Sequence, residues 1–264
     1  MIPFIKFHGT GNDFVVFSKP DLPANGFTPE QIRLLTHRRF GIGADGVIVI
    51  QAALNADFEM LYYNADGNLG SLCGNGSRCA VVAAQKFGLF PETKQDILFL
   101  AYDGHHTAQM NNQNQVSISL NPPKFLKQIN ETDFETDTGS PHYIRFVSQP
   151  LDEQTVLKLG KEIRYNETYR QQGINVNFVQ ILNDNELFVW TYERGVEAVT
   201  LSCGTGAMAA AAAFRTLKPA NNTTIHTLGG ALIAITNFQR AQFTLQGPVV
   251  LVYEGKISLN STTC

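Results

Sequence analysis

Two short turns hold the residues best suited to chemistry. Residues 71–76 read SLCGNG and residues 201–206 read LSCGTG. Each turn sets a cysteine, Cys73 or Cys203, just ahead of an apolar stretch of helical composition, CAVVAAQKFG (79–88) and GAMAAAAAF (206–214). The first N–H groups of a helix have no acceptor inside the helix. Glycines on both sides of Asn75 and Thr205 let an anion come close to the main chain. Gly74–Asn75 and Gly204–Thr205 therefore read as carboxylate sites. The same field favours thiolate over thiol. It contributes roughly 0.3–1 kcal/mol, and one pKa unit is about 1.4 kcal/mol, so the helix alone moves a cysteine by about one unit. Further lowering needs a neighbour such as an imidazole.

One such cysteine suggests a nucleophile, and a hydrolase or transferase pairing it with His142 is the corresponding reading. It leaves the second turn unexplained. Two thiols flanking one bound carboxylate suit proton transfer at the adjacent carbon. One thiolate removes the α-proton, and the other thiol returns a proton to the opposite face, inverting the centre. The helix N-termini stabilise the charge that builds on the carboxylate. Both proton carriers are then side chains, no lysine sits in a context suggesting an imine, and no cofactor is expected.

The bulk composition narrows the partners. The chain has 264 residues, 44% hydrophobic and 16% charged, with net charge −3 and a sequence pI of about 6.1. Without a basic block, nucleic acid and anionic membrane are poor partners. The opening MIPFIKFHGTGNDF lacks the basic and apolar regions of a signal peptide. No apolar run approaches the roughly 18–20 residues of a spanning helix. A cytoplasmic enzyme acting on a small molecule is the expectation. Cys73, Cys79, Cys203 and Cys264 do not make a disulfide scaffold. No metal site is expected, because five residues separate Cys73 from Cys79 and no CxxC pair exists. Cys79, further into its helix, reads as core, and the terminal Cys264 as incidental. GIGADG (41–46) matches a dinucleotide-binding pattern, but a helical stretch precedes it and the strand-like VIVI follows, the reverse of what that motif requires.

The elements that must position these residues repeat. Cys73 and Cys203 are 130 positions apart (203 − 73), and FGIGADGVIVI (40–50) resembles QGINVNFVQIL (172–182), with Gly41 and Gly173 separated by 132 (173 − 41). FEMLYYNADG (58–67) corresponds to LFVWTYERG (187–195), each a strand running into a turn. Helical patterns precede them at 28–40 and 152–163, the first with Pro29 after Thr28 as at a helix start. Each half reads strand, helix, strand, strand, turn, CGxG, apolar helix, further strands. A helix apolar all round is buried all round. The expected fold is α+β (α/β) with two pseudo-symmetric lobes. Each is a mostly antiparallel sheet wrapped around a central apolar helix, with the site in the cleft between them. The paired prolines of LNPPKF place the boundary at lobes 1–121 and 122–252, and the tail 253–264 could pair back onto the first.

KFHGTGNDFVV (6–16), YNADGNLGSLCGNGSRCA (63–80), TGSPH (138–142), GINVNF (173–178) and YERGV with LSCGTGA (192–207) together resemble the diaminopimelate epimerase family over nearly the whole chain. The resemblance implies a cofactor-independent interconversion of LL- and meso-diaminopimelate in lysine and peptidoglycan precursor biosynthesis, by a homodimer in which Tyr253 is a candidate interface residue. It makes Cys73 and Cys203 the proton-transfer thiols, and Gly74, Asn75, Gly204 and Thr205 the cradle of the reacting carboxylate. Asn12, Asn64, Asn175, Glu193 and Arg194 become substrate-holding groups, and His142 and Glu193 groups that tune the thiols. The chain departs from the family pattern at Val199, where an acidic residue is usual. Glu197 lies two positions earlier, in a segment one residue longer than in many members. Ser140 stands in place of a common asparagine, and Gly46 in place of a glutamine that touches substrate. Two other readings share these features: a two-thiol racemase of another amino acid, and a non-catalytic amino-acid-binding descendant.

Overall fold

The computed structural model describes residues 1–70, 72–111 and 115–259, so Cys264 lies outside the described residues. The chain divides into two compact units, Met1–Ile118 together with the segment from Pro248 onward, and Ser119–Gly247. The first unit runs β1 (Ile2–Gly9), β2 (Asn12–Ser18), α1 (Pro29–Thr36), β3 (Gly46–Gln51), β4 (Phe58–Asn64), α2 (Gly74–Lys86), β5 (Asp96–Ala101), β6 (Gly104–Met110) and β7 (Gln115–Leu120). The second runs β8 (Leu126–Gln128), β9 (Asp133–Asp137), β10 (Pro141–Val147), α3 (Glu153–Arg164), β11 (Asn175–Ile181), β12 (Glu186–Glu193), β13 (Ala198–Thr200), α4 (Gly204–Leu217), β14 (Asn222–Thr227), β15 (Gly230–Asn237) and β16 (Gln242–Pro248). The last strand, β17 (Val250–Ile257), returns to the first unit and pairs antiparallel with β1, setting Tyr253 opposite Lys6.

The two units repeat one topology. β2–β3 and β4–β5 are parallel pairs whose crossovers contain α1 and α2, and β10–β11 and β12–β14 are parallel pairs whose crossovers contain α3 and α4. A parallel pair requires such a crossover, whereas antiparallel neighbours such as β1–β2 and β5–β6 close through turns. Strands covered on both faces read as continuous apolar runs, and Phe14, Val15, Val16 and Phe17 of β2 are all fully buried. Their side chains alternate between two layers. Val15 and Phe17, with Val47 and Val49 of β3, pack on Ile32 and Leu35 of α1, while Phe14 and Ile48 face the first turn of α2 at Gly76. In the second unit Val176, Phe178, Trp190 and Tyr192 pack on Val156 and Ile163 of α3.

α1 begins as its sequence suggests, with a reciprocal Thr28–Gln31 capping box and Pro29 in the first turn. It stops at Thr36, however, four residues short of the expected end at 40. The His37 ring accepts the N–H groups of Arg39 and Phe40, and the Leu35 carbonyl takes those of Ile42 and Gly43. Side-chain capping of this kind competes with continuation of the helix. The central helices are buried over most of their length, Gly206 to Phe214 of α4 completely. α2 begins ahead of the apolar stretch 79–88, and Asn75, Ser77 and Arg78 in that earlier part are also buried.

Candidate active site

The first group of site residues gathers at the start of α2. Cys73 is the N-cap, with extended backbone (φ −105, ψ 111), and its sulfur accepts the Gly76 N–H at 3.4 Å. The Gly74 and Asn75 N–H groups belong to the same first turn, where the helix offers them no acceptor. Cys73 Sγ lies 3.6 Å from Asn12 Oδ1. The orientation of Asn12 is fixed from its far side, where Nδ2 donates to Asp45 at 2.7 Å and Asp45 in turn pairs with Arg38 at 2.7 Å. Asn75 Nδ2 donates to Asn12 Oδ1 at 3.2 Å, and Arg78 Nη2 donates to Asn75 Oδ1 at 2.7 Å. The beginning of α2 is thus a hydrogen-bonded string running from Arg38 and Asp45 to Arg78, with the thiol beside its middle.

Arg78 escapes a reading based on motifs. It is fully buried, pairs with no carboxylate among the described residues, and its Nε has no hydrogen-bond partner. Burial brings its pKa down to about 10, with Cys79 and Cys73 favouring the charged form, so it remains a cation at neutral pH. The signal in the sequence was an arginine directly ahead of the apolar stretch, five residues beyond the cysteine. Cys79 is core as expected, its thiol pushed up to about 12 by burial. Asn64 closes β4, half-buried, with its backbone holding the turn to Asn68. Gly46 is dictated by packing. A Cβ there would stand 2.5 Å from the Tyr62 ring and 2.7 Å from the Tyr63 carbonyl, so β3 leaves no room for a glutamine side chain.

The second group lies at the start of α4. Cys203 is again the N-cap (φ −123, ψ 112), but its sulfur makes no capping bond to the helix and sits 3.5 Å from Thr205 Oγ1. Thr205 Oγ1 is 2.9 Å from His142 Nε2 and 3.2 Å from Ser140 Oγ. The parallel β10–β11 register brings His142 opposite Asn175, with Asn177 two residues along on the same face. Asn177 Nδ2 reaches His142 Nδ1 at 3.0 Å and the Tyr143 carbonyl at 3.1 Å, and Asn177 Oδ1 accepts from Thr191 at 3.0 Å. The TGSPH turn, GINVNF strand and CGTG helix start therefore converge, with Ser140 inside the network. Asn177 is a member that motif reading overlooked, although it lay within a quoted motif.

His142 differs from expectation in charge. Burial, opposed by Asp137 and reinforced by Arg194, holds its pKa down at about 3. The imidazole is neutral, so it reaches the Cys203 region through its hydrogen bond to Thr205 and not through a positive field. Asn175 is occupied by backbone and neighbouring groups. Its Oδ1 accepts the Arg194 N–H at 2.9 Å, and its Nδ2 lies 3.2 Å from both Ser140 Oγ and the Pro141 carbonyl. Arg194 is exposed, with Nη1 on the Gln172 carbonyl at 3.1 Å, and forms no ion pair among the described residues. Glu193 is half-buried at the end of β12, opposite Ala198.

The segment before Cys203 folds as the β12–β13 turn and strand β13. Glu197 takes left-handed backbone (φ 57) and accepts the Gly195 N–H at 3.2 Å, the Tyr192 hydroxyl at 3.1 Å and an ion pair from Arg164 at 3.3 Å. Val199 pairs with Tyr192 and packs against the cluster beneath α3.

Comparison with known proteins follows this duplication. The family model described as diaminopimelate epimerase matches residues 4–126 and again 134–256, an offset of 130 (134 − 4). A diaminopimelate epimerase of Flavobacterium psychrophilum is 39% identical, with 96% of this chain and 98% of that protein covered. One from Aquifex aeolicus is 34% identical, with 97% of each covered. Among solved structures, a phenazine biosynthesis protein of the PhzF family from Bacillus anthracis has a TM-score of 0.71 at 14% identity, covering 98% of this chain and 99% of its own. A hydroxyproline epimerase from Agrobacterium vitis has a TM-score of 0.70 at 16% identity, covering 98% and 92%. These last two share the fold. Among the described residues, no helix is long and apolar enough to cross a membrane.

Proposed function

The chain belongs to the diaminopimelate epimerase family, and we propose that Cys73 and Cys203 carry out its reaction as a thiolate and thiol pair. The enzyme is an isomerase that interconverts LL- and meso-diaminopimelate in lysine and peptidoglycan precursor biosynthesis. In the proposed scheme one thiolate takes the α-proton and the other cysteine protonates the opposite face. The N–H groups of Gly74, Asn75, Gly204 and Thr205 hold the reacting carboxylate and stabilise the charge that builds on it. The observation that carries this reading is the repeated cysteine N-cap, two thiols each placed at a helix start with glycine-flanked donors.

The far end of the substrate is assigned to Arg194 and Glu193. A guanidinium forks onto a carboxylate, and a glutamate pairs with an ammonium. Arg194 suits the first role because it is exposed and without an ion pair among the described residues. Asn175 supports it by holding its main chain, and Asn12 and Asn64 complete the set from the first unit. The scheme needs no cofactor, because both proton carriers are side chains. We further assign the enzyme to the cytoplasm and to a homodimer. Support for the dimer is the run Val250, Leu251, Val252 and Tyr253, an exposed apolar stretch on β17.

Incubation of LL-diaminopimelate in D2O tests the proposal. Deuterium at the α-carbon together with meso product is expected. Absence of exchange would remove the epimerase reading, and equally fast racemisation of proline would remove the substrate assignment while sparing the two-thiol chemistry.

A further inference from the structure

The hydrogen bonds around Cys203 form a chain whose direction is fixed at its far end. The Tyr143 carbonyl can only accept, so the Asn177 atom 3.1 Å from it is the amide nitrogen. The Thr191 hydroxyl donates to Asn177 Oδ1 at 3.0 Å, which agrees with that orientation. The other amide hydrogen of Asn177 then meets His142 Nδ1 at 3.0 Å, and Nδ1 must accept it. A neutral imidazole that accepts at Nδ1 carries its hydrogen on Nε2. Nε2 is 2.9 Å from Thr205 Oγ1 and 3.0 Å from Ser140 Oγ. Ser140 Oγ also receives Asn175 Nδ2, and its own hydrogen is available to Thr205 Oγ1 at 3.2 Å. With His142 and Ser140 both supplying hydrogens to Thr205 Oγ1, the hydrogen of Thr205 is left for Cys203 Sγ, 3.5 Å away.

We propose that Asn177 is a positioning residue for epimerisation: by fixing the tautomer of His142 it turns the Thr205 hydroxyl hydrogen onto Cys203 Sγ and favours the Cys203 thiolate. The inference rests on Cys203 being one of the two reacting thiols. It gives the neutral histidine a task that needs no charge. It also accounts for the burial of Asn177, which is fully enclosed against the helix start: a Cβ on Gly206 would stand 2.5 Å from Asn177 Oδ1. Cys73 has different partners. Its sulfur meets Asn12 Oδ1, an acceptor, and the Gly76 N–H. The charged groups acting on His142 are Asp137, at the end of β9, and Arg194, after β12, while Thr205 from α4 is uncharged.

The test is the pH dependence of alkylation by iodoacetamide in the full-length enzyme, followed separately at Cys203 and Cys73 by peptide mass. Thr205→Val keeps the shape and main-chain N–H of the helix start and removes only the hydroxyl. It should raise the midpoint for Cys203 by about one pH unit, a roughly tenfold slower reaction below the midpoint, with Cys73 unchanged. Asn177→Leu should do the same, and Thr205→Ser should keep the wild-type midpoint. If Asn177→Leu does not fold, Asn177→Asp, whose carboxylate cannot donate to His142 Nδ1, takes its place. An unmoved Cys203 midpoint in Thr205→Val or in the folded Asn177 variant, or an equal shift at both cysteines, would overturn the proposal. Either result would leave the two-thiol reading standing, because that reading is tested by isotope exchange.

Discussion

Mild acid should destabilise this protein through His142, and the size of the effect can be worked out. His142 is fully buried and its folded pKa is held at about 3, against about 6.5 in an unfolded chain. Between these values the unfolded state binds a proton that the folded state refuses, so stability falls as pH is lowered from about 6.5. At pH 5 an unfolded histidine of pKa about 6.5 is almost fully protonated, and the difference is about 1.5 pH units at about 1.4 kcal/mol each, roughly 2 kcal/mol. The figure is insensitive to the folded value so long as that value stays well below 5. Urea denaturation of wild type and His142→Gln at pH 7.5, 6.5, 5.5 and 5.0 isolates the term, because every other titrating group is common to both. The wild type should lose about 2 kcal/mol more than the variant between pH 7.5 and 5. Equal losses would mean that His142 takes up a proton in the folded state, and the neutral-imidazole account of the Cys203 region would fail with it.

Cys73→Ala and Cys203→Ala should each abolish epimerisation while leaving one-base halide elimination from a halogenated substrate analogue. Full epimerase activity in either variant would end the two-thiol scheme. Arg194→Lys replaces a planar fork with a point charge and should cost about 2 kcal/mol in kcat/KM, roughly thirtyfold. Because Arg194 is exposed, the melting temperature should hardly change, and a variant that lost stability in place of activity would contradict the assignment. Gly46→Ala sets a methyl 2.5 Å from the Tyr62 ring and should destabilise by about 1–3 kcal/mol in denaturant titration; unchanged stability would show that Tyr62 yields freely.

Much of this architecture was legible because duplication prints each element twice. The strand pattern of FVVF, the capping sequence at Thr28–Pro29 and the paired CGxG turns all rest on local rules, and they map onto β2, α1, α2 and α4. What stayed hidden depends on contacts across the chain. Nothing local shows that the His37 ring captures the N–H groups that would extend α1. Arg78 looked incidental ahead of an apolar stretch, because its burial arises from packing that spacing does not record. The charge of His142 is likewise set by enclosure, and a motif lists the residue without its protonation state. Asn177 was passed over beside Asn175, since only the parallel β10–β11 register shows that Asn177 is the one that reaches the imidazole.

The two halves have kept the same backbone and exchanged its surroundings. Both cysteines cap their helices in extended conformation, and both helices open with Gly–Xaa–Gly. Main-chain N–H groups at such a helix start can hold an anion whatever the side chains are. The halves part from the second residue past the cysteine, Asn75 against Thr205, and the fifth sets Arg78 in α2 against Met208 in α4, both buried. The guanidinium occupies space left by Gly9, where a Cβ would stand 3.1 Å from Nη2. In α4, Gly206 leaves room for the Asn177 amide, whose Oδ1 would stand 2.5 Å from a Cβ there. One thiol therefore shares its unit with a buried cation, and the other with a chain of neutral hydrogen bonds. Duplication supplied two matching helix starts, and the side chains in and around them, Asn75 and Arg78 in one, Thr205 and Asn177 in the other, make the surroundings of the two thiols different.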